Sequence, residues 1–319
     1  MWVGMAGWSL PTRRNERWCS RSFPTDAPHE ASQAGAVAVV SAPVPLRLAF
    51  WNCGVAPTRG TGKRSAAEAA RVVDALLRRG ADAVALCEVD EPTARQIHAE
   101  LGRNVCLTSM TEPLGRSRWD LALFSRADRL RPRVPKPVVG RDEGPSIRAA
   151  QHLRLTPKPG DIFDLYLLHW RGRRHSNGHT YRSRASQTLW ASVAAGLRQD
   201  RRIVVLGDFN DEPFDRPLTE LRASRDPHHV LKRPRGRLYN PSWWLAAPDP
   251  TDPWTRFGTY AYAQGETSGH YLLDQALTSA HYLDAATPAL PRAHVVSFGS
   301  LGITAPTIMD HLPLELVLP

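Results

Sequence analysis

Cysteine is scarce in this chain of 319 residues: Cys19, Cys53, Cys87 and Cys106 are the four, and none stands in CxxC spacing. That scarcity argues against a zinc ribbon or a disulfide-stapled scaffold and leaves reduced thiols in a cytoplasmic protein as the simplest reading. Long apolar runs are missing too. No stretch approaches the ~18 residues of a membrane span, and Gly35 to Val40, the longest candidate, follows Glu30 without a basic n-region, so no signal peptide is expected. There is no GxSxG nucleophile elbow. "RGTGKRS" misses the phosphate-binding loop pattern, because Pro57 stands where glycine is required and Arg64 where serine or threonine is required. Acidic residues are in deficit, 31 against 41 basic ones, for a net charge of +10. Nearly all the cations are arginine, whose guanidinium forks onto phosphate oxygens, so the imbalance points to a polyanionic partner; an arginine-favouring codon usage is the bland alternative.

What is present is enough apolar residue, 42%, to fill one large core or two ordinary ones. Residues 1–44 lack either secondary-structure period, mix Trp2, Trp8 and Trp18 with prolines, and read as a poorly ordered leader or an over-long start of the reading frame. Residues 45–319 read as one domain. "LRLAFWN" begins it as a strand. Ser65 and Glu68 have capping-box spacing, Ala69, Val72, Val73 and Leu76 share a helical face, and Gly80 ends that helix. "AVAL" is the next strand, a short helix starts near Pro92, and further helices cover Arg182 to Leu197 and Asp215 to Ala223. "LALF", "HLRL", "DLYLLHW", "IVVL", "LLDQALTS" and "LPLELVL" are strands, and Lys232 to Phe257 is a long irregular connection. Strands alternate with helices early and cluster later, which predicts an α/β domain with at least one mixed sheet.

Polar residues recur where these strands end or begin: Asn52, Glu88, His169, Asp208 with Asn210, Asp274, and Asp310 with His311. Each of several also fits a bland role. Asn52 and Glu88 suit a turn and a helix start, and His169 beside Trp170 suits a packed ring. Asp274 inside "LLDQAL" is harder to place, since an unpaired buried carboxylate is costly. Gathered at one rim, carboxylates and an amide make a hard, oxygen-rich site for Mg²⁺ or Mn²⁺, and imidazoles beside it can bond to phosphoryl oxygens or deliver a proton. That is equipment for phosphoester hydrolysis. "HWRGRRHSNGHTYRSRASQ" adds Arg171, Arg173, Arg174, Arg182 and Arg184 with Tyr181 interleaved, a pattern that suits a nucleic-acid backbone or a solvated loop. His175 and His179 have helical ligand spacing, but Asn177 and Gly178 between them favour a loop.

From Leu46 to Leu318 the chain resembles the endonuclease/exonuclease/phosphatase superfamily, in "LAFWN", "DAVALCEVD", "LYLLHW", "VVLGDFN", "LLDQALTS" and "MDHLPLELVL", in the family's order. The resemblance implies a four-layer α/β/β/α sandwich, two packed mixed sheets flanked by helices. It implies that Glu88 binds the metal, with Asn52 and Asp310 close by. Asp208 would orient or deprotonate the attacking water, Asn210 would help to hold water and phosphate, His311 paired with Asp274 would bond to the phosphate, and His169 would assist the leaving oxygen. One departure stands out: "CEVDE" puts Asp90 and Glu91 where deoxyribonuclease-like members often carry a phosphate-gripping cation, which puts pancreatic-type nicking of duplex DNA in doubt. The expected activity is a metal-dependent nuclease, monomeric and without a membrane span. A phosphatase of inositol phosphates or phosphoinositides, and a nucleic-acid-binding protein with a decayed site, are the alternatives.

Overall fold

The computed structural model describes residues 45–55, 65–114, 117–140, 146–246, 258–262, 269–283, 290–304 and 310–319. The expected leader and most of the loop around Gly60 lie outside the described residues.

Two large sheets face each other. The first has six strands in the order Arg292–Val295 (β17), Leu314–Leu318 (β18), Leu46–Asn52 (β1), Ala83–Cys87 (β2), Leu121–Arg126 (β6) and Val105–Met110 (β3). The second has eight. Its order is Ala223–Ser224 (β12), Leu238–Tyr239 (β13), Asp274–Thr278 (β16), Arg202–Asp208 (β11), Phe163–His169 (β10), Ile147–Pro157 (β9) and Leu130–Pro132 (β7), with Lys136–Gly140 (β8) also on β9. Both are mixed: β1 runs parallel to β2 and antiparallel to β18, and β10 runs parallel to β11 and antiparallel to β9. Two short hairpins stand apart, Pro113–Leu114 (β4) with Ser117–Arg118 (β5) and Tyr260–Tyr262 (β14) with Gly269–Tyr271 (β15).

Alternation along each strand makes the layers. Leu48 and Phe50, Ala83 and Ala85, Leu165 and Leu167, Val204 and Leu206, and Leu314, Leu316 and Leu318 meet between the sheets. The intervening residues face helices. Trp51, Val84 and Leu86 pack under Ala66–Arg78 (α1) and Glu91–Glu100 (α2). Tyr166, Leu168, Ile203 and Val205 pack under Gly178–Arg198 (α3), which presents Ala185, Leu189, Val193 and Leu197 at four-residue spacing. The result is the α/β/β/α sandwich.

The helix signals act as their chemistry dictates. Ser65 caps α1, its Oγ accepting from the Glu68 amide at 3.2 Å while Glu68 accepts from the Ser65 amide at 3.0 Å. Asp90 caps α2 by accepting from the Thr93 amide at 2.9 Å. Helix α3 begins at Gly178, earlier than expected, so His179 lies in its first turn and not in a loop. The expected helix from Asp215 shrinks to Arg216–Glu220 (α4), followed by the short helix Pro227–Leu231 (α5). The expected irregular stretch from Lys232 carries β13 and a 3-10 turn at Pro241–Ala246. Gly207, expected to turn the chain, instead lies inside β11 between Leu168 and Gln275, and a Cβ there would collide with the Leu168 carbonyl. Glycine is needed for close approach of two strands.

Candidate active site

The polar residues occupy the positions that would be next in the inter-sheet core. In β1 the inward series Leu48, Phe50 continues to Asn52; in β10 Leu165, Leu167 continues to His169; in β11 Val204, Leu206 continues to Asp208; in β16 Ala276 leads back to Asp274. Register then sets their level, because Asp208 pairs with His169 on one side and with Asp274 on the other. One end of the apolar sandwich is therefore finished by amide, imidazole and carboxylate.

Asp208 Oδ2 is the hub. The Asn52 side-chain amide donates to it and to Glu88 Oε1, both at 3.1 Å. His169 Nε2 lies 3.9 Å from the same Asp208 oxygen and 3.8 Å from Glu88 Oε1, and His311 Nε2 lies 3.9 Å from Asp208 Oδ2 on the other side. Each imidazole is held from behind by a carboxylate: His169 Nδ1 donates to Asp120 at 2.7 Å and His311 Nδ1 donates to Asp274 at 2.8 Å. This fixes both rings with Nε2 toward the cleft. Asp208 Oδ1 accepts from the Asn210 backbone amide at 2.8 Å, and the Asn210 side chain donates to the Trp170 carbonyl at 2.9 Å. Glu88 and Asn210 both have left-handed backbone, with φ of 55° and 52°, a conformation that asparagine tolerates and glutamate adopts at a cost.

Burial and crowding set the charges. Asp208 is pushed up to about 6, first by burial and then by the neighbouring Asp274 carboxylate, with His311 and His169 opposing. Burial works against a charged His169, yet Asp120, Asp208 and Glu88 outweigh it and raise the ring to about 10. His311 likewise overcomes burial through Asp274 and Asp208 and rises to about 9. At neutral pH the site is an ionised carboxylate between two imidazolium rings.

These groups open into a cleft of about 680 Å³, lined also by Arg148, Arg171, Arg173, Arg174, Tyr260, Tyr271 and Asp310. Of the residues singled out in the sequence, Asn52, Glu88, His169, Asp208, Asn210, Asp310 and His311 line it, with Asp274 directly behind His311. The arginine segment divides. Arg171, Arg173 and Arg174 line the cleft, whereas Arg182 is buried, donating to Asp211 at 2.6 Å and to the Arg171 carbonyl at 3.0 Å. Arg184 is exposed on α3 outside the cleft wall. Tyr181 lies beneath, its ring 4.6 Å from the Arg171 guanidinium and its hydroxyl accepting from the Arg148 amide at 2.8 Å. Arg173 is already engaged, 2.5 Å from Asp215 and 3.9 Å from Asp211. Asp90 and Glu91 serve local structure: Asp90 caps α2, and Glu91 accepts from Ser109 and Thr111.

Asp120 and Arg148 were missed. The signal for Asp120 was available, since "WDLALF" sets an acid against an apolar strand as "LLDQAL" does, and antiparallel pairing of Leu121 with Cys87 brings the start of β6 to the rim where β2 ends. Arg148 sits within β9 and no local pattern distinguishes it from the other surface arginines. The donor set suits a divalent cation. Carboxylate oxygens dominate it, one Asn52 amide ties Glu88 to Asp208, the buried Asp274 Oδ1 has no hydrogen-bond partner, and ligand atoms of Asp208, Asp274 and His311 lie within 4.8 Å of one another.

Residues 49–300 match the model of the Endonuclease/Exonuclease/phosphatase family. A search of curated protein sequences finds no match. Among solved structures, a mannosyl-6-phosphatase from Bacteroides thetaiotaomicron is similar with a TM-score of 0.60 at 14% identity, over 86% of this chain and 100% of that one. The human Nocturnin catalytic domain is similar with a TM-score of 0.55 at 17% identity, over 86% and 94%. TDP2 from Caenorhabditis elegans is similar with a TM-score of 0.58 at 13% identity, over 86% and 75%. At such identities the likeness speaks for the fold. The sandwich, the rim of paired histidines and carboxylates, and the family match agree, and the chain belongs to the endonuclease/exonuclease/phosphatase family. The class of reaction this defines is phosphoester hydrolysis. No helix among the described residues is long and apolar enough to cross a membrane.

Proposed function

We propose that the protein is a divalent-metal-dependent phosphodiesterase acting on nucleic acid, with residues 45–319 as its catalytic domain. The observation that carries this reading is the doubling of the histidine–carboxylate pair around Asp208, His169 with Asp120 and His311 with Asp274. A phosphodiester keeps an alkoxide leaving group and two non-bridging oxygens, so a site with one imidazolium for each task fits it.

The division of labour follows from charge and position. Asp208, ionised at neutral pH, takes the proton of an attacking water that Asn210 helps to hold. His311 donates from Nε2 to a non-bridging oxygen as negative charge builds there. His169 gives its Nε2 proton to the departing oxygen, and Asp120 stabilises the charged ring before transfer. Mg²⁺ or Mn²⁺ held by Glu88, with Asn52 and Asp310 beside it, supplies charge neutralisation at the phosphate. Arg171 and Arg174 are placed to meet flanking phosphates.

A specific observation favours one rival. Arg182 and Arg173 are engaged by carboxylates, which leaves fewer cations for a long polyanion and suits a small phosphomonoester. The deciding experiment offers plasmid, linear duplex, single-stranded DNA, RNA, inositol phosphates and sugar phosphates with Mg²⁺, Mn²⁺ or chelator. Metal-dependent shortening of a polynucleotide supports the proposal. Release of inorganic phosphate from the small esters alone replaces it with the phosphatase reading, and binding without turnover replaces it with the non-catalytic one.

A further inference from the structure

Large aromatic side chains are exposed beside the cleft. Phe214 is 55% exposed and Trp244 67% exposed, and Trp243 between them is half-buried, its ring 6.1 Å from that of Phe214. Exposed rings of this size cost solvation unless something covers them. They are also held in place. The Trp244 indole donates to the buried Tyr239 hydroxyl at 3.0 Å, and the Arg225 guanidinium lies 5.5 Å from the Trp243 ring centroid.

The turn that carries both tryptophans, Pro241–Ala246, is pinned to the strand that carries Asp274. Ser242 Oγ accepts from the Ala276 amide at 3.0 Å, and the Asn240 side chain donates to Gln275 Oε1 at 2.9 Å. Gln275 in turn donates to the Asp211 carbonyl at 2.7 Å, in the loop that follows Asp208 and leads to Phe214. All four groups are buried. A fully paired buried network of this kind fixes geometry, so the aromatic surface and the hub of the cleft are registered to one another. Phe214 adjoins Asp215, which holds the cleft arginine Arg173. The line from cleft to Arg173, Phe214, Trp243 and Arg225 is therefore continuous.

We infer that Phe214, Trp243 and Trp244 form a stacking surface for unpaired bases of a single-stranded polynucleotide whose scissile phosphate lies in the cleft. The inference rests on the nuclease reading and adds to it the strandedness of the substrate. Duplex bases hide their faces, whereas unpaired bases stack on aromatic rings whatever their identity, and an arginine over one ring adds a cation to the same face. Asp211, Glu212 and Asp215 share this loop, so the phosphates run on the side of Arg171 and Arg174 while the bases turn to the rings.

The test measures binding in chelator of a dinucleotide and of a single strand of about twelve nucleotides, and separately the hydrolysis of bis(p-nitrophenyl) phosphate with Mn²⁺. Trp244→Ala and the double variant Phe214→Ala/Trp244→Ala should each weaken the longer strand, on the order of tenfold per ring. The dinucleotide, the slope of affinity against salt and the small-ester hydrolysis should stay as in the parent, and Trp244→Phe should restore affinity. Unchanged affinity for the long strand in the double variant overturns the surface, and if the small ester is still hydrolysed the reading of the cleft stands. Dissociation of a parent dimer by Trp244→Ala, with strand affinity unchanged, overturns it in favour of contact with a second copy. Failure of the parent to hydrolyse any phosphodiester sinks the nuclease reading, and is scored apart from the binding result.

Discussion

Asp164 and Asp208 are both buried carboxylates on adjacent strands of one sheet, yet they stand at opposite ends of it and are treated in opposite ways. Asp164, near the start of β10, has Arg154 Nε at 3.0 Å, Arg201 at 3.2 Å and His152 Nε2 at 3.2 Å. Burial opposes its charge, but His152 and Arg154 hold it well below the usual carboxylate range. Asp208, at the end of β11, faces another buried carboxylate and is pushed up to about 6. One end of the sheet satisfies its acid and so stabilises the fold. The other end leaves its acid strained and usable, the pattern expected where pKa is tuned for chemistry.

The largest expected effect separates the two acids. Asp208→Asn should lower turnover by ~10²-fold or more, the scale of a lost general base, and should leave the melting temperature unchanged or raised, since it removes a repelled charge. Asp164→Asn should do the reverse: near-parental turnover with a stability loss of about 1–2 kcal/mol, discounted because its partners are a third exposed. In a domain of this size that is a fall in Tm of about 2–4 °C per kcal/mol. Paired kinetic and melting data on the two variants check both, and a Tm loss in Asp208→Asn with activity intact would erase the contrast.

Their pH dependences should run in opposite senses as well. Asp164 has a depressed pKa, so its contribution is present above the ordinary carboxylate value of ~4 and is lost as pH falls. Asp208 has a raised pKa, so its contribution is full below ~4 and is lost as pH rises through about 6. His169 and His311 contribute fully below ~6.5 and lose that contribution as pH rises toward about 10 and about 9. Denaturant melts in chelator from acid to alkaline pH should show the acid limb shrinking in Asp164→Asn and the limb between ~4 and 6 vanishing in Asp208→Asn.

Within the active end, the two histidines differ in the task assigned to them. His169→Ala should cost ~10²-fold with an alkoxide leaving group and far less with p-nitrophenolate, which departs without a proton. His311→Ala should cost alike on both. Equal losses for His169→Ala across leaving groups would remove its role.

Much of this contrast is legible in the sequence because a strand's period is two. Once "LAFWN", "LYLLHW" and "VVLGDFN" are read as strands, the inward series Phe50 to Asn52, Leu167 to His169 and Leu206 to Asp208 follow. Asp120 was overlooked because its strand runs the other way, so the rim meets its beginning. Arg182 was read as a substrate contact because its partner, Asp211, lies 29 positions away, and a buried pair at that distance leaves no local trace. The same limit hides Gln275, whose two contacts join segments that the sequence keeps far apart.

A smaller effect sharpens the division among the arginines. Arg171→Ala/Arg174→Ala should weaken polynucleotide binding and flatten its salt slope by about one unit per lost phosphate contact, with small-ester hydrolysis unchanged. Arg182→Ala should leave the slope alone and lower stability by about 3–5 kcal/mol, because it strands Asp211 without its partner. Salt-dependent binding isotherms beside melting curves read both.

The claim that the polar rim is a metal-dependent hydrolytic site is tested most directly by titrating phosphodiester hydrolysis against Mn²⁺ in the parent and in Glu88→Gln. The account predicts no turnover in chelator, saturable activation of the parent, and a midpoint moved to higher Mn²⁺ by on the order of tenfold in the variant, as expected for loss of one carboxylate ligand. Turnover that persists in chelator, or superimposable titrations of parent and variant, would contradict it.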